Sequence, residues 1–125
     1  MYLLPALAVI VVDQASKYLL AGGAPTNPGI AFGVGGSPLA VAAVLFLGCV
    51  AAWWLYRGSA KRPAERYAWS IVAGGVASNL LDRVRLGAVI DPLSIPILRI
   101  SCNIADAAVV SGIVVLSVLA FRRSR

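Results

Sequence analysis

Four long apolar segments take up most of the sequence, and they constrain its fold more than any other feature. They cover about residues 2–20, 39–56, 67–83 and 104–121. A helix needs roughly 17–25 mainly apolar residues to cross a lipid bilayer, and each segment comes close to that length. Because 60% of all residues are hydrophobic, the sequence predicts an all-α integral membrane protein. We expect one domain, residues 1–125, with four transmembrane helices.

Charge patterning predicts how these helices are oriented. Basic residues concentrate in the linker Arg57–Arg66 and in the C-terminal Phe121–Arg125, and such clusters mark the cytoplasmic side of membrane proteins. Both termini are then cytoplasmic, and the connections Ala21–Pro38 and Asp82–Asn103 are extracytoplasmic. The first connection is rich in glycine and proline, which predicts turns and a surface or re-entrant loop. In the second, the apolar residues after Pro92 predict a short strand or hairpin.

Several classes of function are disfavoured by composition. The net charge of +6 could suggest nucleic acid, but no aromatic and basic face is present for base stacking. The absence of histidine excludes Ser-His and Cys-His nucleophiles and histidine-bearing zinc sites. Of the two cysteines, Cys49 lies in an apolar run and Cys102 has no visible base, so neither is predicted to be a nucleophile. Asp13 interrupts the first segment, which we interpret as mature structure and not a cleaved signal peptide.

The acidic residues are few and unusually placed. Asp13, Asp82, Asp91 and Asp106 lie in or beside apolar segments, while Glu65 lies in the basic linker. A charged group inside a span costs about 2.5–3.5 kcal/mol on insertion scales, so each of the four is a candidate functional residue.

Asp91 and Asp106 could form a catalytic pair. Asp91 has no basic residue nearer than Arg85 and Arg99, and a short hairpin could return the chain to Asp106. Two neighbouring carboxylates share one proton, so one can act as a base and the other as an acid. The sequence therefore predicts an aspartic peptidase that needs neither histidine nor metal.

The remaining polar residues each have a structural and a functional interpretation. Asp13 and Lys17 are four residues apart on one helix face; they could form a structural ion pair, Lys17 could extend to the interface, or the pair could anchor a neighbouring site. Asn79, Asp82 and Arg83 also share one face, which could be a packing surface with a terminal ion pair or could meet substrate.

Two further sequence features fit helix structure. Gly74, Gly75 and Ser78 provide a small-residue surface that lets a neighbouring helix approach closely. Asn103 and Asp106 have the Asn-x-x-Asp spacing of a capping box at a helix start, which by itself would make this pair structural.

Taken in order, four motifs resemble those of the lipoprotein signal peptidases, also called type II or prolipoprotein signal peptidases. They are DQASK (Asp13–Lys17), NPGIAF (Asn27–Phe32), GGVASNLLDRVRLGAVID (Gly74–Asp91) and NIADAAVVSG (Asn103–Gly112). The resemblance implies an intramembrane aspartic endopeptidase of the bacterial cytoplasmic (inner) membrane. Its substrates would be diacylglyceryl-modified prolipoproteins, cleaved before the lipidated cysteine, and globomycin-like cyclic peptides would inhibit it.

The resemblance also implies roles for individual residues. Asp91 and Asp106 match the catalytic positions. Positions that support or line the site are matched by Asp13, Lys17, Asn27, Gly29, Asn79, Asp82, Arg83, Asn103 and Ala105. We expect no metal, no cofactor and no nucleic acid partner, and we expect a monomer in contact with membrane lipid.

The chain departs from the family pattern on the extracytoplasmic side. Only residues 18–26 separate the first two motifs, Thr26 replaces an arginine, and Pro92 and Cys102 replace apolar or aromatic residues. These changes concern substrate grip more than chemistry. Two alternatives are therefore kept: a non-catalytic, shortened paralogue that binds lipoprotein or a globomycin-like peptide, and a small four-helix multidrug transporter.

Overall fold

The computed structural model describes residues 1–20, 22–27, 53, 57, 62–97 and 100–124. Within these residues the helices are α1 (Leu4–Leu20), α2 (Pro63–Leu86) and α3 (Ile104–Arg123). The strands are β1 (Thr26–Asn27), β2 (Val89–Ile90), β3 (Leu93–Ile95) and β4 (Ile100–Cys102). Three of the predicted spans are therefore helices. The second, 39–56, lies outside the described residues except for Trp53, which is helical, so the four-helix arrangement stays a prediction.

Helix α2 is longer than the predicted 67–83 at both ends. It begins at Pro63, whose fixed φ suits the first helical position, and the backbone N–H of Arg62 donates to Glu65 over 3.5 Å. It ends at Gly87, whose φ of +72° is the left-handed conformation typical of helix C-caps. The Gly87 N–H donates to the carbonyl of Arg83 over 3.0 Å. Hydropathy missed both ends because their capping and first-turn residues are not apolar.

Helix α2 packs against both other described helices through adjacent glycines. A Cβ at Gly74 would lie 2.7 Å from the carbonyl oxygen of Ala6 in α1. A Cβ at Gly75 would lie 2.5 Å from the carbonyl oxygen of Ala105 in α3. Both distances are too short for any side chain, so the predicted small-residue surface is confirmed. Because the two glycines are adjacent, α1 and α3 approach α2 at the same position along its length.

In the described helices, polar and small residues are buried and large apolar residues are mostly exposed. The largest fully buried side chains are Asn103, Asp13 and Ser78. Large apolar residues are exposed on the outside of α1 and α3. They include Leu4, Leu7, Val11, Val12, Leu19, Val110, Ile113, Val114, Val118 and Phe121. This distribution is the reverse of that in water-soluble domains and suits a lipid environment.

The length and apolarity of α3 and the length of α1 also suit a lipid environment. Among the described residues, Ile104–Arg123 is a helix long and apolar enough to cross a membrane. Helix α1, with 17 residues, reaches the lower limit of the length range for a spanning helix.

The strands form two small antiparallel sheets at one end of the helices. β3 pairs with β4, with Leu93 opposite Cys102 and Ile95 opposite Ile100, so the predicted hairpin is confirmed. β1 pairs with β2, with Asn27 opposite Val89. The first connection was expected to form only turns and loop; it instead contributes a strand because β2 offers a partner for its backbone.

Candidate active site

The β3–β4 hairpin connects the two predicted catalytic aspartates. Asp91 precedes β3, and Asp106 lies in the first turn of α3, which follows β4. Because Leu93 and Cys102 are paired, the start of β3 and the end of β4 lie side by side. The backbone N–H of Asp91 donates to the carbonyl of Pro25 over 3.1 Å, which fixes the start of the hairpin against the β1 segment.

Asn103 contacts both aspartates. Its Nδ2 donates to Asp91 Oδ1 over 2.7 Å, and its backbone N–H donates to Asp106 Oδ2 over 3.3 Å. Its side-chain oxygen accepts the backbone N–H of Asp106 over 2.9 Å. Asn103 is completely buried and Asp91 is 4% exposed. One asparagine therefore contacts both carboxyl groups.

The capping box predicted from the Asn-x-x-Asp spacing is present as well. Asn103 is the N-cap of α3, and the side chains and backbones of Asn103 and Asp106 bond reciprocally. The structural interpretation of this pair is therefore confirmed, and its functional interpretation stays a prediction. The cap uses the Asn103 oxygen, which leaves its amide N–H groups for Asp91.

Asn79 supplies a second amide donor to the pair. Its Nδ2 donates to Asp106 Oδ1 over 2.8 Å, and its Oδ1 accepts from Lys17 Nζ over 3.0 Å. The two oxygens of Asp106 thus face separate N–H groups, one from Asn79 and one from Asn103. Asn79 therefore contacts Asp106, one of the two predicted catalytic residues, and its contact with substrate stays a prediction.

Behind this pair lies a buried ion cluster formed by Asp13, Lys17 and Asp82. Lys17 Nζ lies 2.6 Å from Asp13 Oδ2 and 2.7 Å from Asp82 Oδ2. The three residues are 0%, 2% and 3% exposed, respectively. Lys17 therefore does not extend to the interface, because burial next to two carboxylates satisfies its charge. The predicted Asp13–Lys17 ion pair is present, and Asp82 joins it from α2.

Asp13 also connects α1 to the start of α3. Its Oδ1 accepts the backbone N–H of Ala105 over 2.8 Å. Ala105 is completely buried, and its carbonyl oxygen faces Gly75, so a larger side chain has no room at either position. Asp13 thus anchors the helix turn that carries Asp106.

Two residues of this cluster, Gln14 and Ser78, were not predicted to belong to it, and Ser78 was assigned only to the small-residue packing surface. Gln14 Nε2 donates to Asp82 Oδ1 over 2.7 Å and to Ser78 Oγ over 3.1 Å. Ser78 Oγ donates to Asp13 Oδ2 over 2.8 Å. A signal was available, because Gln14 is a polar residue inside an apolar helix and Ser78 lies four residues before Asp82 on the same helix.

Arg83 and Cys102 lie at the edge of the site. The guanidinium of Arg83 is within electrostatic range of Asp106, Asp91 and Asp82. Burial raises the pKa of the Cys102 thiol, and the nearby carboxylates of Asp106 and Asp91 raise it further. A raised pKa is the opposite of what a cysteine nucleophile needs, which agrees with the prediction that Cys102 is not one.

Two predicted site residues are described less fully. The backbone of Asn27 pairs with Val89 in the β1–β2 sheet, next to the start of the hairpin. Gly29 and Cys49 lie outside the described residues.

Comparison with known proteins identifies the family. The model of the signal peptidase (SPase) II family matches residues 23–122, which is most of the chain. The chain belongs to the signal peptidase II family. Membership indicates a peptidase, and it confirms the resemblance seen in the four motifs.

Individual relatives of this signal peptidase II chain agree with the assignment. It is 32% identical to a lipoprotein signal peptidase of Moorella thermoacetica, over 92% of this chain and 89% of that protein. It is 31% identical to a lipoprotein signal peptidase of Brevibacillus brevis, over 92% of this chain and 91% of that protein.

The fold of this signal peptidase II chain is also found in solved structures. One is a bacterial membrane enzyme determined by the in meso method at 2.3 Å resolution. It superposes with a TM-score of 0.88 at 21% identity, covering 98% of this chain and 88% of the other. A second bacterial membrane enzyme, at 1.9 Å resolution, gives a TM-score of 0.83 at 22% identity over 95% and 91% of the two chains.

Proposed function

We propose that this chain is an intramembrane aspartic endopeptidase that removes signal peptides from diacylglyceryl-modified prolipoproteins, cutting before the lipidated cysteine. Asp91 and Asp106 are its catalytic pair. The observation that carries the proposal is the shared contact with Asn103, whose amide donates to Asp91 over 2.7 Å and whose backbone N–H donates to Asp106 over 3.3 Å.

The chemistry follows from two carboxyl groups that share one proton. The ionised member removes a proton from a water molecule as the water oxygen attacks the scissile carbonyl carbon. The protonated member gives its proton to the carbonyl oxygen, which yields a neutral tetrahedral diol. The carbon–nitrogen bond then breaks as the diol loses a proton to one carboxylate and the leaving amine gains one from the other. The pair returns to its starting protonation, and one water is consumed.

The surroundings support this use of the two aspartates. A charged group with apolar neighbours needs hydrogen bonds to remain in place, and N–H donors from Asn103 and Asn79 supply them. Arg83 lies within electrostatic range of both aspartates and donates to the backbone carbonyl of Asn79 over 3.3 Å, and we infer that its guanidinium binds a peptide carbonyl as it approaches the pair. Asn79 and Asn103 fix the orientation of the carboxyl groups.

A lipid-linked substrate fits the exterior of the protein. The outer surfaces of α1 and α3 are lined by exposed residues such as Leu7, Val11, Ile113 and Val114. In a bilayer this surface lies against acyl chains. We infer a four-helix protein of the bacterial inner membrane with cytoplasmic termini, because Arg62, Arg66, Arg122 and Arg123 lie at the helix ends opposite the site. The substrate would enter laterally, with its acyl chains between the helices and its scissile peptide bond at the aspartates, and globomycin-like cyclic peptides would compete for the same site.

Cleavage of a synthetic prolipoprotein peptide by the purified full-length chain tests the proposal. The peptide spans the cut site and carries diacylglyceryl on its cysteine, and an unlipidated peptide of the same sequence is the control substrate. We expect cleavage of the lipidated peptide alone, with the diacylglyceryl cysteine as the new N-terminus.

Asp91→Asn and Asp106→Asn should each reduce the turnover rate by at least about 10²–10⁴-fold, the usual contribution of general acid–base catalysis. Glu65→Gln is a matched control. It also removes one carboxylate, but Glu65 lies in the first turn of α2, 17 residues before Asp82, about 25 Å along the helix. Normal turnover by either aspartate variant would remove that residue from the proposed pair. Tight peptide binding without turnover by the unmodified chain would instead favour a non-catalytic binding protein.

A further inference from the structure

All three N–H bonds of the buried Lys17 ammonium have acceptors. Its Nζ lies 2.6 Å from Asp13 Oδ2, 2.7 Å from Asp82 Oδ2 and 3.0 Å from Asn79 Oδ1. A lysine ammonium has three donors and no acceptor, so these partners use its whole capacity. Since the side chain is only 2% exposed, its position is fixed by the three contacts.

This saturated lysine determines which way the amide of Asn79 faces. Lys17 can only donate, so the oxygen of the Asn79 amide must face it and the nitrogen must face away. The nitrogen then points to Asp106 and donates to its Oδ1 over 2.8 Å. With the amide reversed, an NH₂ group would meet an ammonium and an amide oxygen would meet a carboxyl oxygen, and both contacts would be lost.

We propose that Lys17 is a positioning residue for Asp106, which it controls through the amide orientation of Asn79. The inference rests on the proposed function, in which Asp106 is one of the two catalytic carboxyl groups. In this arrangement Lys17 does not act on substrate. It keeps an N–H donor directed at one oxygen of Asp106, so that this carboxyl group holds a single orientation toward the water molecule and Asp91.

The rest of the cluster holds Lys17 in place. Asp82 Oδ1 accepts a hydrogen bond from Gln14 Nε2 over 2.7 Å, which leaves its Oδ2 for the lysine. Asp13 Oδ1 accepts a hydrogen bond from the backbone N–H of Ala105 over 2.8 Å, which leaves its Oδ2 for Lys17 and Ser78. A buried charge persists only where it is paired and hydrogen-bonded, and each carboxylate here uses both of its oxygens.

Nitrogen-15 NMR can test the orientation directly, because the chain has only three asparagines, Asn27, Asn79 and Asn103. Selective ¹⁵N-asparagine labelling of the full chain in lipid nanodiscs gives three side-chain NH₂ signals, and Asn79→Ala assigns one of them by its loss. The test variant combines Lys17→Met with Asp82→Asn, so that one positive and one negative charge leave the cluster together. We expect the Asn79 signal to shift or double and the Asn27 signal to stay unchanged.

An Asn79 signal that keeps its position in this variant would overturn the proposal. A second pair of variants applies if the first does not fold. Lys17→Arg retains a side chain that can only donate, whereas Lys17→Gln brings an oxygen that can turn the Asn79 amide around. The arginine variant should keep one Asn79 signal and the glutamine variant should give two or a shifted one; identical signals in both would contradict the proposal.

Kinetic measurements with the lipidated peptide test the same proposal through peptidase activity. The Lys17→Met and Asp82→Asn combination should lower kcat about 10–100-fold, the range seen when groups that orient a ligand are removed, and leave KM unchanged. Asn79→Leu should do the same. With both changes together the loss should be no more than about threefold beyond the larger single loss, because residues acting in series are not additive.

A combined loss of kcat equal to the product of the two separate losses would show that Lys17 acts independently of Asn79. Failure of the unmodified chain to cleave any lipidated peptide would count against the proposed function instead, and the NMR result would still report on the amide. The two ideas therefore fail in different measurements.

Discussion

Asn103 caps helix α3 with the oxygen of its side-chain amide and contacts Asp91, one of the two proposed catalytic residues, with the nitrogen. Its Nδ2 donates to Asp91 Oδ1 over 2.7 Å, and its Oδ1 accepts the backbone N–H of Asp106 over 2.9 Å. The backbone N–H is always a donor, so it fixes the amide orientation, and the nitrogen must then face Asp91. The start of α3 and the position of Asp91 are thereby set by the same side chain.

Substitution of Asn103 should separate these two roles. Asn103→Ser keeps an oxygen that can cap α3 but removes the donor to Asp91, whereas Asn103→Ala removes both. We expect the alanine variant to be less stable than the serine variant by about 1 kcal/mol, the usual value of an N-cap. Both should lose most of the peptidase activity. Thermal unfolding in detergent and the peptide assay measure the two effects, and near-normal activity in Asn103→Ser would mean that the contact with Asp91 is not used in catalysis.

Close helix contact at Gly75 should make this position intolerant of alanine. An added Cβ would lie 2.5 Å from the carbonyl oxygen of Ala105, and backbone at this distance has to move. Gly75→Ala should cost about 1–3 kcal/mol, as overpacking does in other proteins, and should reduce activity because α3 carries Asp106. Gly22→Ala is the matched control, since a Cβ there meets nothing within 4 Å. Equal unfolding temperatures for the two variants would contradict the tight packing.

The sequence predicted those parts of the fold that follow from local patterns. Apolar runs gave α1 and α3 to within a few residues, and the Ile and Leu pattern after Pro92 gave the β3–β4 hairpin. The ends of α2 were missed because Pro63 and Gly87, which set them, carry no hydropathy signal.

Pairings between distant segments were harder to predict. Strand β1 forms against β2, which lies more than sixty residues further along the chain, and no local pattern specifies that register. Asp13, Lys17 and Asp82 were each recognised as unusual, but their joint cluster was not predicted. Asp13 and Lys17 are neighbours on α1, but only the close approach of α1 and α2, which Gly74 permits, brings Asp82 to them. Gln14 was overlooked because its partners belong to α2.

Loss of the Gln14 amide should weaken the buried ion cluster. Gln14 Nε2 donates to Asp82 Oδ1 over 2.7 Å, and a hydrogen bond to a charged group contributes roughly 1.5–3 kcal/mol. Gln14→Leu has nearly the same size but cannot donate, so we expect a loss of stability in that range. Gln14→Glu should be at least as damaging, because it places a carboxylate against Asp82. Unfolding curves of both variants beside the unmodified chain provide the test, and unchanged midpoints would show that the contact contributes little.

Alkylation of Cys102 should report the charge of the two aspartates. Burial and the carboxylates of Asp106 and Asp91 raise the pKa of this thiol, and only the thiolate reacts. In a Cys49→Ala background, where Cys102 is the single thiol, maleimide should react slowly at neutral pH. The rate should rise with pH and reach half its maximum above the pH expected for an ordinary cysteine. Because the two aspartates share one proton, the pair carries one negative charge, and only the double variant Asp91→Asn with Asp106→Asn removes it. This double variant should shift the midpoint to lower pH and speed the reaction at neutral pH. Glu65→Gln removes a distant carboxylate and should leave the profile unchanged; the same midpoint in all three proteins would mean that the aspartates do not influence Cys102.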